Sequence, residues 1–286
     1  MKISSNSKWV RDLWLVFSYL ILIMAMAAVL VPILYIFFAS FNTGSSLYSS
    51  TMIPKNFTLD NYRMLFNNPN KSVDFTLWTL NTLKIASATS IASVILTSFT
   101  AYAFSRFRFW GRRYGLIMFL VVQMFPGAMG MVAIYVLLNI LGLLDTHLGL
   151  ILIYTGGAIP FSTWMAKGYI DSIPRSLDEA ALIDGASRWQ IYWRILMPLS
   201  LPILSVIALL NFIGPFNDYL LARIVLTSAE KRTLAVGLHA FISGQFDQNW
   251  TQFAAGSMLT SIPIMILFLS LQKYFISGLT AGATKG

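Results

Sequence analysis

The sequence predicts an all-α, polytopic membrane protein with six transmembrane helices and both termini on the cytoplasmic side. Three observations lead there. Of 286 residues, 57% are hydrophobic and 11% charged, where a water-soluble domain carries about 25% charged residues. The mean hydropathy is +0.69. Six runs are also long and apolar enough to cross about 30 Å of hydrocarbon, which takes roughly 20 helical residues.

In chain order the predicted spans are residues 13–41, 77–104, 114–138, 148–166, 201–226 and 253–275. The first is too long for a secretory leader and ends in no clear small-residue cleavage site, so it reads as retained. The third is interrupted by "FPGAMG" (125–130) and the fourth by "TGGAIP" (155–160). Both are candidates for a kink, and the third for an outright break.

Orientation comes from the basic residues. With the N-terminus inside, the cytoplasmic pieces hold Lys2, Lys8, Arg11, Arg106, Arg108, Arg112, Arg113, Lys167, Arg175, Arg188, Arg194, Lys273 and Lys285. That is thirteen of the twenty Lys and Arg residues. The short cluster "RFRFWGRR" (106–113) is the firmest anchor. Topology therefore accounts for most of the formal net charge of +9, and nucleic acid is not needed to explain it. The absence of cysteine excludes disulfides and thiolate metal sites.

Three segments outside the hydrocarbon carry candidate function. The long cytoplasmic loop, 167–200, contains "PRSLDEAALIDGASRWQIYWRILMPLSLP" from Pro174 onward. Ser176 with Glu179 has the spacing of a capping box, and Asp178 and Glu179 would sit in a first helical turn that favours negative charge. The helix should stop at Gly185. Ser187 and Gln190 repeat the capping arrangement and open a second helix expected to end before Pro198. In it Trp189, Tyr192, Trp193 and Leu196 fall on one stripe. Ala180 and Ala181 leave room for another surface on the first helix. Local physics alone reads this as two interfacial helices with Glu179 as a cap; the alternative is a docking element for a cytoplasmic partner.

"EAALIDGA" followed by "ILMPLSLP" resembles the EAA loop of ABC-importer permeases, on Glu179, Ala180, Ala181, Asp184, Gly185, Ile195 and Pro198. The likeness spans the chain and is to permeases of the maltose/maltodextrin type. It implies a type I importer permease fold, one transmembrane permease domain over 1–286, residence in the cell membrane, and half of a translocation pathway for oligosaccharides. It also implies partners: a second permease subunit, forming a heterodimer; two copies of an ATPase subunit; and an extracytoplasmic sugar-binding protein. The first short helix would fit a cleft on the ATPase, with Glu179 meeting a basic group. The tail 276–286, "SGLTAGATKG" from Ser277, is similar to the family ending GLTAGGVKG and departs from it at Ala283 and Thr284. By resemblance Gly282, Thr284, Lys285 and Gly286 would reach the ATPase subunits.

"SGQFDQNW" (243–250), in the extracytoplasmic loop 227–252, matches the loop that enters the binding protein in that family. Gln245, Asp247, Gln248 and Trp250 are its candidate contacts. For the pathway, Gln123, Asn211, Asn217 and Asp218 are candidates, since polar groups in a membrane face a partner or a wet cavity. Asn81 reads better as a packing hydrogen bond.

No G-x-x-x-x-G-K-[ST] phosphate loop occurs, so the chain is expected to bind no cofactor, with ATP and Mg held by partner subunits. A secondary transporter or channel subunit is the alternative; it predicts buried charge pairs or a self-contained pore, and leaves the EAA-like loop without a purpose. An intramembrane enzyme would need H-E-x-x-H or G-x-S-x-G, which are absent, and His147 and His239 both fall near the outside.

Overall fold

The computed structural model describes residues 8–46, 52–67, 74–244 and 248–283, with residues 8, 10 and 275–283 described by their backbone alone. Among them, regular structure is entirely helical. The chain divides into two compact units, 1–68 with 241–259, and 69–240 with 260–286.

The first unit holds α1 (Lys8–Ser40), α2 (Asp60–Phe66) and the start of α13 (Trp250–Ala283). Residues 11–34 of α1 are exposed to their surroundings, as an apolar helix meeting lipid or another subunit would be. Its outer end is fastened by polar groups. Asn61 Nδ2 donates to the carbonyls of Ser40 and Asn42, both at 2.9 Å. Thr251 Oγ1 donates to Gly44 O at 2.6 Å, and Trp250 N to Ser45 O at 2.8 Å.

The second unit is built on α3 (Phe75–Arg106), which packs against α6 (His147–Ser172) and α10 (Leu201–Asn217). The buried face of α3 is lined by small hydroxyl residues: Thr82, Thr89, Ser90, Ser93, Thr97 and Ser98. Short side chains let helices approach closely where no hydrophobic force separates lipid from protein. Ser90 Oγ uses that closeness to donate to Ala208 O on α10 at 2.7 Å.

The third predicted span is broken. Helix α4 (Arg112–Gln123) and the segment Gly127–Ile140, which contains a 3-10 turn and α5 (Met131–Ile140), meet at 90°. Pro126 lacks an N–H and sits extended at ψ 118°, so the helical ladder cannot pass through it. Pro160, by contrast, lies inside a continuous α6.

Four helices are individually long and apolar enough to span a membrane, and six spans result if each of two bent pairs counts as one. The second bent pair alters the reading of residues 167–226. Two short helices, α7 (Ser176–Ile183) and α8 (Arg188–Ile191), lead into a π-turn at Tyr192–Leu196, then α9 (Met197–Leu199) and α10, with a 74° bend between Arg188–Leu199 and α10. The expected stop before Pro198 does not occur. The π-turn shifts the hydrogen bonding so that Met197 N reaches Tyr192 O, and Pro198 sits in the first turn of α9, where a missing N–H costs nothing. The fifth span, expected to run to 226, ends as a helix at Asn217. Asp218 turns extended at ψ 113°, and a separate α11 (Leu220–Val225) follows, started by Leu221 N donating to Asp218 Oδ1 at 3.0 Å.

Beyond α11 the chain passes into α12 (Leu234–His239). The outward connections of this unit are clasped by Asp145, a rare non-glycine at positive φ (54°). Its carboxylate accepts from Thr227 N and Ser228 N at 3.0 Å, Ser228 Oγ at 2.5 Å and Lys231 Nζ at 3.0 Å. Asn81 completes the clasp by donating to Glu230 O and Arg232 O. Its bonding is thus a packing contact with the 3-10 turn Ala229–Lys231 and the residue that follows it.

Candidate functional site: an exposed helix and a membrane cavity

Helix α7 is eight residues long and presents Leu177, Leu182, Ile183, Glu179, Ala180 and Asp184 to the outside, with Ile183 87% exposed. It ends in the turn that its sequence demands. Gly185 has φ +81°, with Gly185 N bonded to Leu182 O at 3.1 Å and Ala186 N to Ala181 O at 2.9 Å. These paired bonds close the last carbonyls of the helix and turn the chain sharply.

The start of α7 differs from expectation. The cap residue is Arg175, with no side-chain cap, and Ser176 is already helical. The helix begins one residue early because Leu177 N finds Pro174 O (3.3 Å) and Glu179 N finds Arg175 O (3.0 Å). Ser176 and Glu179 therefore form no capping box. Glu179 keeps an exposed carboxylate with no hydrogen bond or ion pair to any described residue. The second box forms as the spacing predicts: Gln190 N donates to Ser187 Oγ at 3.3 Å and Ser187 N to Gln190 Oε1 at 2.7 Å.

The aromatic stripe divides. Tyr192 and Leu196 are buried, whereas Trp189 and Trp193 stay half exposed. Phe99 of α3 stacks on Tyr192 (centroids 4.9 Å apart) and on Trp189 (5.8 Å), joining the loop to the core. Arg188 lies over the Phe107 ring at 5.2 Å.

Under α7 lies a polar network that sequence reasoning used only for topology. Arg106, 4% exposed at the end of α3, makes a close ion pair with Asp178 of α7 and donates to Ile173 O at 2.9 Å. Beside it Ser105 Oγ donates to Asp171 Oδ1 at 2.6 Å, and Lys167 pairs with Asp171 at 2.6 Å. Arg175 donates to Ser105 O at 3.2 Å, and Arg112 to Phe104 O at 2.7 Å. Asp178 is thus an ion-pair partner as well as a first-turn acid.

A cavity of about 470 Å³ sits between α3, α6, α10 and the broken third span; its walls include Thr89, Gly127, Tyr154, Asn211 and Asp218. Gly127 and Ala128, at the break, line this space, and irregular backbone at membrane depth is tolerated where it lines a cavity. Asn211 and Asp218 both reach the cavity. Asn211 Nδ2 also donates to Ser162 Oγ (3.3 Å) and Ile207 O (2.9 Å). Gln123 donates to Gly157 O at 3.1 Å and is not among the cavity walls, and Asn217 is exposed away from it. Tyr154, unmarked in the sequence, faces Asp218. Tyrosines are common in apolar helices, so nothing in the sequence singles this one out.

The extracytoplasmic candidates are only partly placed. Gln248 accepts from Trp250 Nε1 at 3.0 Å, at the start of α13. Gln245 and Asp247 lie outside the described residues. So do Thr284, Lys285 and Gly286 of the tail, while Gly282 falls in the last turn of α13. No group of three His, Cys, Asp or Glu side chains in metal-binding array occurs among the described residues.

Comparison with known proteins agrees with this architecture. Residues 93–280 match the binding-protein-dependent transport system inner membrane component family. The chain is 46% identical to the galactooligosaccharides transport system permease protein GanQ of Bacillus subtilis (strain 168), over 96% of this chain and 97% of that one. It is 42% identical to the maltodextrin transport system permease protein MdxG of the same strain, covering 98% and 100%. With the maltose/maltodextrin permease MalG of Escherichia coli (strain K12) it shares 35%, covering 94% and 95%. Among solved structures, a chain of a bacterial ABC transporter importing the acidic polysaccharide alginate superposes with a TM-score of 0.77 at 28% identity, over 94% of this chain and 99% of that one. The exposed EAA-type helix, the broken span and the matched length have one explanation: the chain is a multi-pass membrane protein of the binding-protein-dependent transport system inner membrane component family.

Proposed function

We propose that this permease subunit forms half of the translocation pathway of an oligosaccharide importer, pairs with a different permease chain, and is driven by two copies of an ATPase subunit. A maltodextrin or a galacto-oligosaccharide would be delivered by an extracytoplasmic binding protein, the cargo classes named for its relatives. The observation that carries the reading is α7. It projects an apolar tip, the small Ala180 and an uncommitted Glu179 away from the core, while Ala181 packs inward against it. Such a helix suits a cleft with a basic group, where an ion pair contributes about 0–1 kcal/mol and acts mainly on register.

ATP and Mg belong to the ATPase subunits, whose closure would pull on α7 and turn the cavity outward; hydrolysis would reset it. Gln245, Asp247, Gln248 and Trp250 would meet the binding protein, and Gly282, Thr284, Lys285 and Gly286 the ATPase pair. Asn211 and Asp218 would line the path. A secondary transporter is disfavoured because the buried Arg106–Asp178 pair lies on the cytoplasmic loop and not across the cavity.

The test is to purify the intact complex, identify its subunits, and measure which sugar stimulates its ATPase in the presence of the binding protein. A second permease, an ATPase subunit in two copies and stimulation by maltodextrin or galacto-oligosaccharide are expected. A chain that purifies alone and imports sugar without ATP would overturn the proposal.

A further inference from the structure

We infer that Arg106 is the positioning residue that makes α7 and α3 move as one piece, so that force applied to the docking helix reaches the cavity wall. The inference rests on the reading of α7 as the ATPase-docking element. Residues Ser98, Tyr102 and Arg106 are spaced by four on α3 and so form one stripe. Each grips a different part of the cytoplasmic loop. Ser98 Oγ hydrogen-bonds Tyr192 Oη in the π-turn at 2.7 Å, Tyr102 Oη donates to Arg188 O at the start of α8 at 3.0 Å, and Arg106 pairs with Asp178 of α7.

Of these three, Arg106 alone holds α7. Its guanidinium also binds Ile173 O, at the exit of α6, so one side chain joins the ends of two core helices to the docking helix. Among the described residues Asp178 has no second anchor: its other oxygen, Oδ1, is buried without a hydrogen bond. The pair is 4% and 14% exposed, so neither charge can turn to water if its partner is lost. Seventeen residues up the same helix, Thr89 stands in the cavity wall, roughly 25 Å away at 1.5 Å per residue. A helix of unbroken hydrogen bonding transmits displacement over that length, and the ion pair sets what it receives. The outward face of α7, which would meet the ATPase, is not used by this contact.

The experiment uses the full complex in proteoliposomes and reads sugar imported per ATP hydrolysed, together with ATPase co-purification. Arg106→Gln and Asp178→Asn should each keep the ATPase attached and hydrolysing while import per ATP falls about tenfold or more, within the usual range of roughly 5–150-fold for coupling between sites. The double variant should be no worse than either single one. In a chain without cysteine, Arg106→Cys/Asp178→Cys should be uncoupled when reduced and should recover to within about twofold of wild type when bridged by a short bis-thiosulfonate reagent. That comparison is made within one folded protein, so a merely structural role would not move it. Wild-type stoichiometry in the single variants, multiplicative losses in the double, or a bridged pair that stays uncoupled overturns the inference. Ala180→Trp, on the opposite face, separates the two layers: if the docking reading itself fails, this variant keeps its ATPase.

Discussion

Substitution at Gly185 offers a graded test of how helix α7 is terminated. The residue sits at φ +81°, and a Cβ built there meets nothing within 4 Å. Steric clash is therefore removed from the problem and only backbone strain remains. Placing an L-residue in this left-handed region costs about 1–2 kcal/mol, less for asparagine and most for a β-branched side chain. A cost of that size shifts the balance between the closed turn and an opened one by a factor of roughly 5–30. Opening breaks the Ala186–Ala181 and Gly185–Leu182 bonds and frees the last turn of α7. The series Gly185→Asn, Gly185→Ala and Gly185→Val should thus lose sugar-stimulated ATPase activity in that order. Tryptic cleavage at Arg188 of the membrane-embedded complex should rise in the same order. Equal effects for all three, or Asn as damaging as Val, would refute the argument from φ.

Other expectations follow from particular contacts. Gly237→Ala should destabilise by about 1–3 kcal/mol or more, because its Cβ would fall 2.2 Å from the buried Trp78 ring; a lowered thermal midpoint in detergent, partly restored by Trp78→Phe, checks this. Ser187→Ala should cost about 0.5–2 kcal/mol by opening the box that starts α8, with ATPase attachment weakened in proportion. Hydrogen bonds from the Ser228 side chain and backbone, followed by those from Lys231 and Thr227, hold the Asp145 carboxyl well below the usual carboxylate range. A depressed folded pKa gives stability that is complete above the unfolded value and lost as pH falls through the folded one. The thermal midpoint should therefore be flat above about pH 5 and decline below about pH 4. Asp145→Asn should lower it at neutral pH and flatten the acid decline.

The sequence made some of this visible because the relevant physics is local. Long apolar runs, the Pro126 break, the Gly185 turn and the Ser187–Gln190 box depend on neighbours within a few residues. What stayed hidden depends on distant partners. Asp145 lies 83 residues from Ser228, and Asp178 owes its charge balance to Arg106 on another helix. Arg106 looked like one more positive-inside residue, although its spacing from Ser98 and Tyr102 was legible. The expected Ser176 cap failed because the chain entering α7 from Pro174 was already helical. That failure bears on function, since a Glu179 spent on capping would have less to offer a partner. The end of the fifth span was obscured by its composition: "PFNDYLLARIVL" remains apolar while Asp218 turns the backbone extended.

Cross-linking from Ile183 tests the central claim most directly. Its side chain is the most exposed of the large apolar ones on α7, at 87%, and a photoreactive amino acid placed there reads out whatever lies against this helix in the working complex. The account predicts one dominant adduct, with the ATPase subunit, whose yield changes between ATP-bound and nucleotide-free states. Adducts to lipid or to the second permease alone, unchanged by ATP, would contradict it.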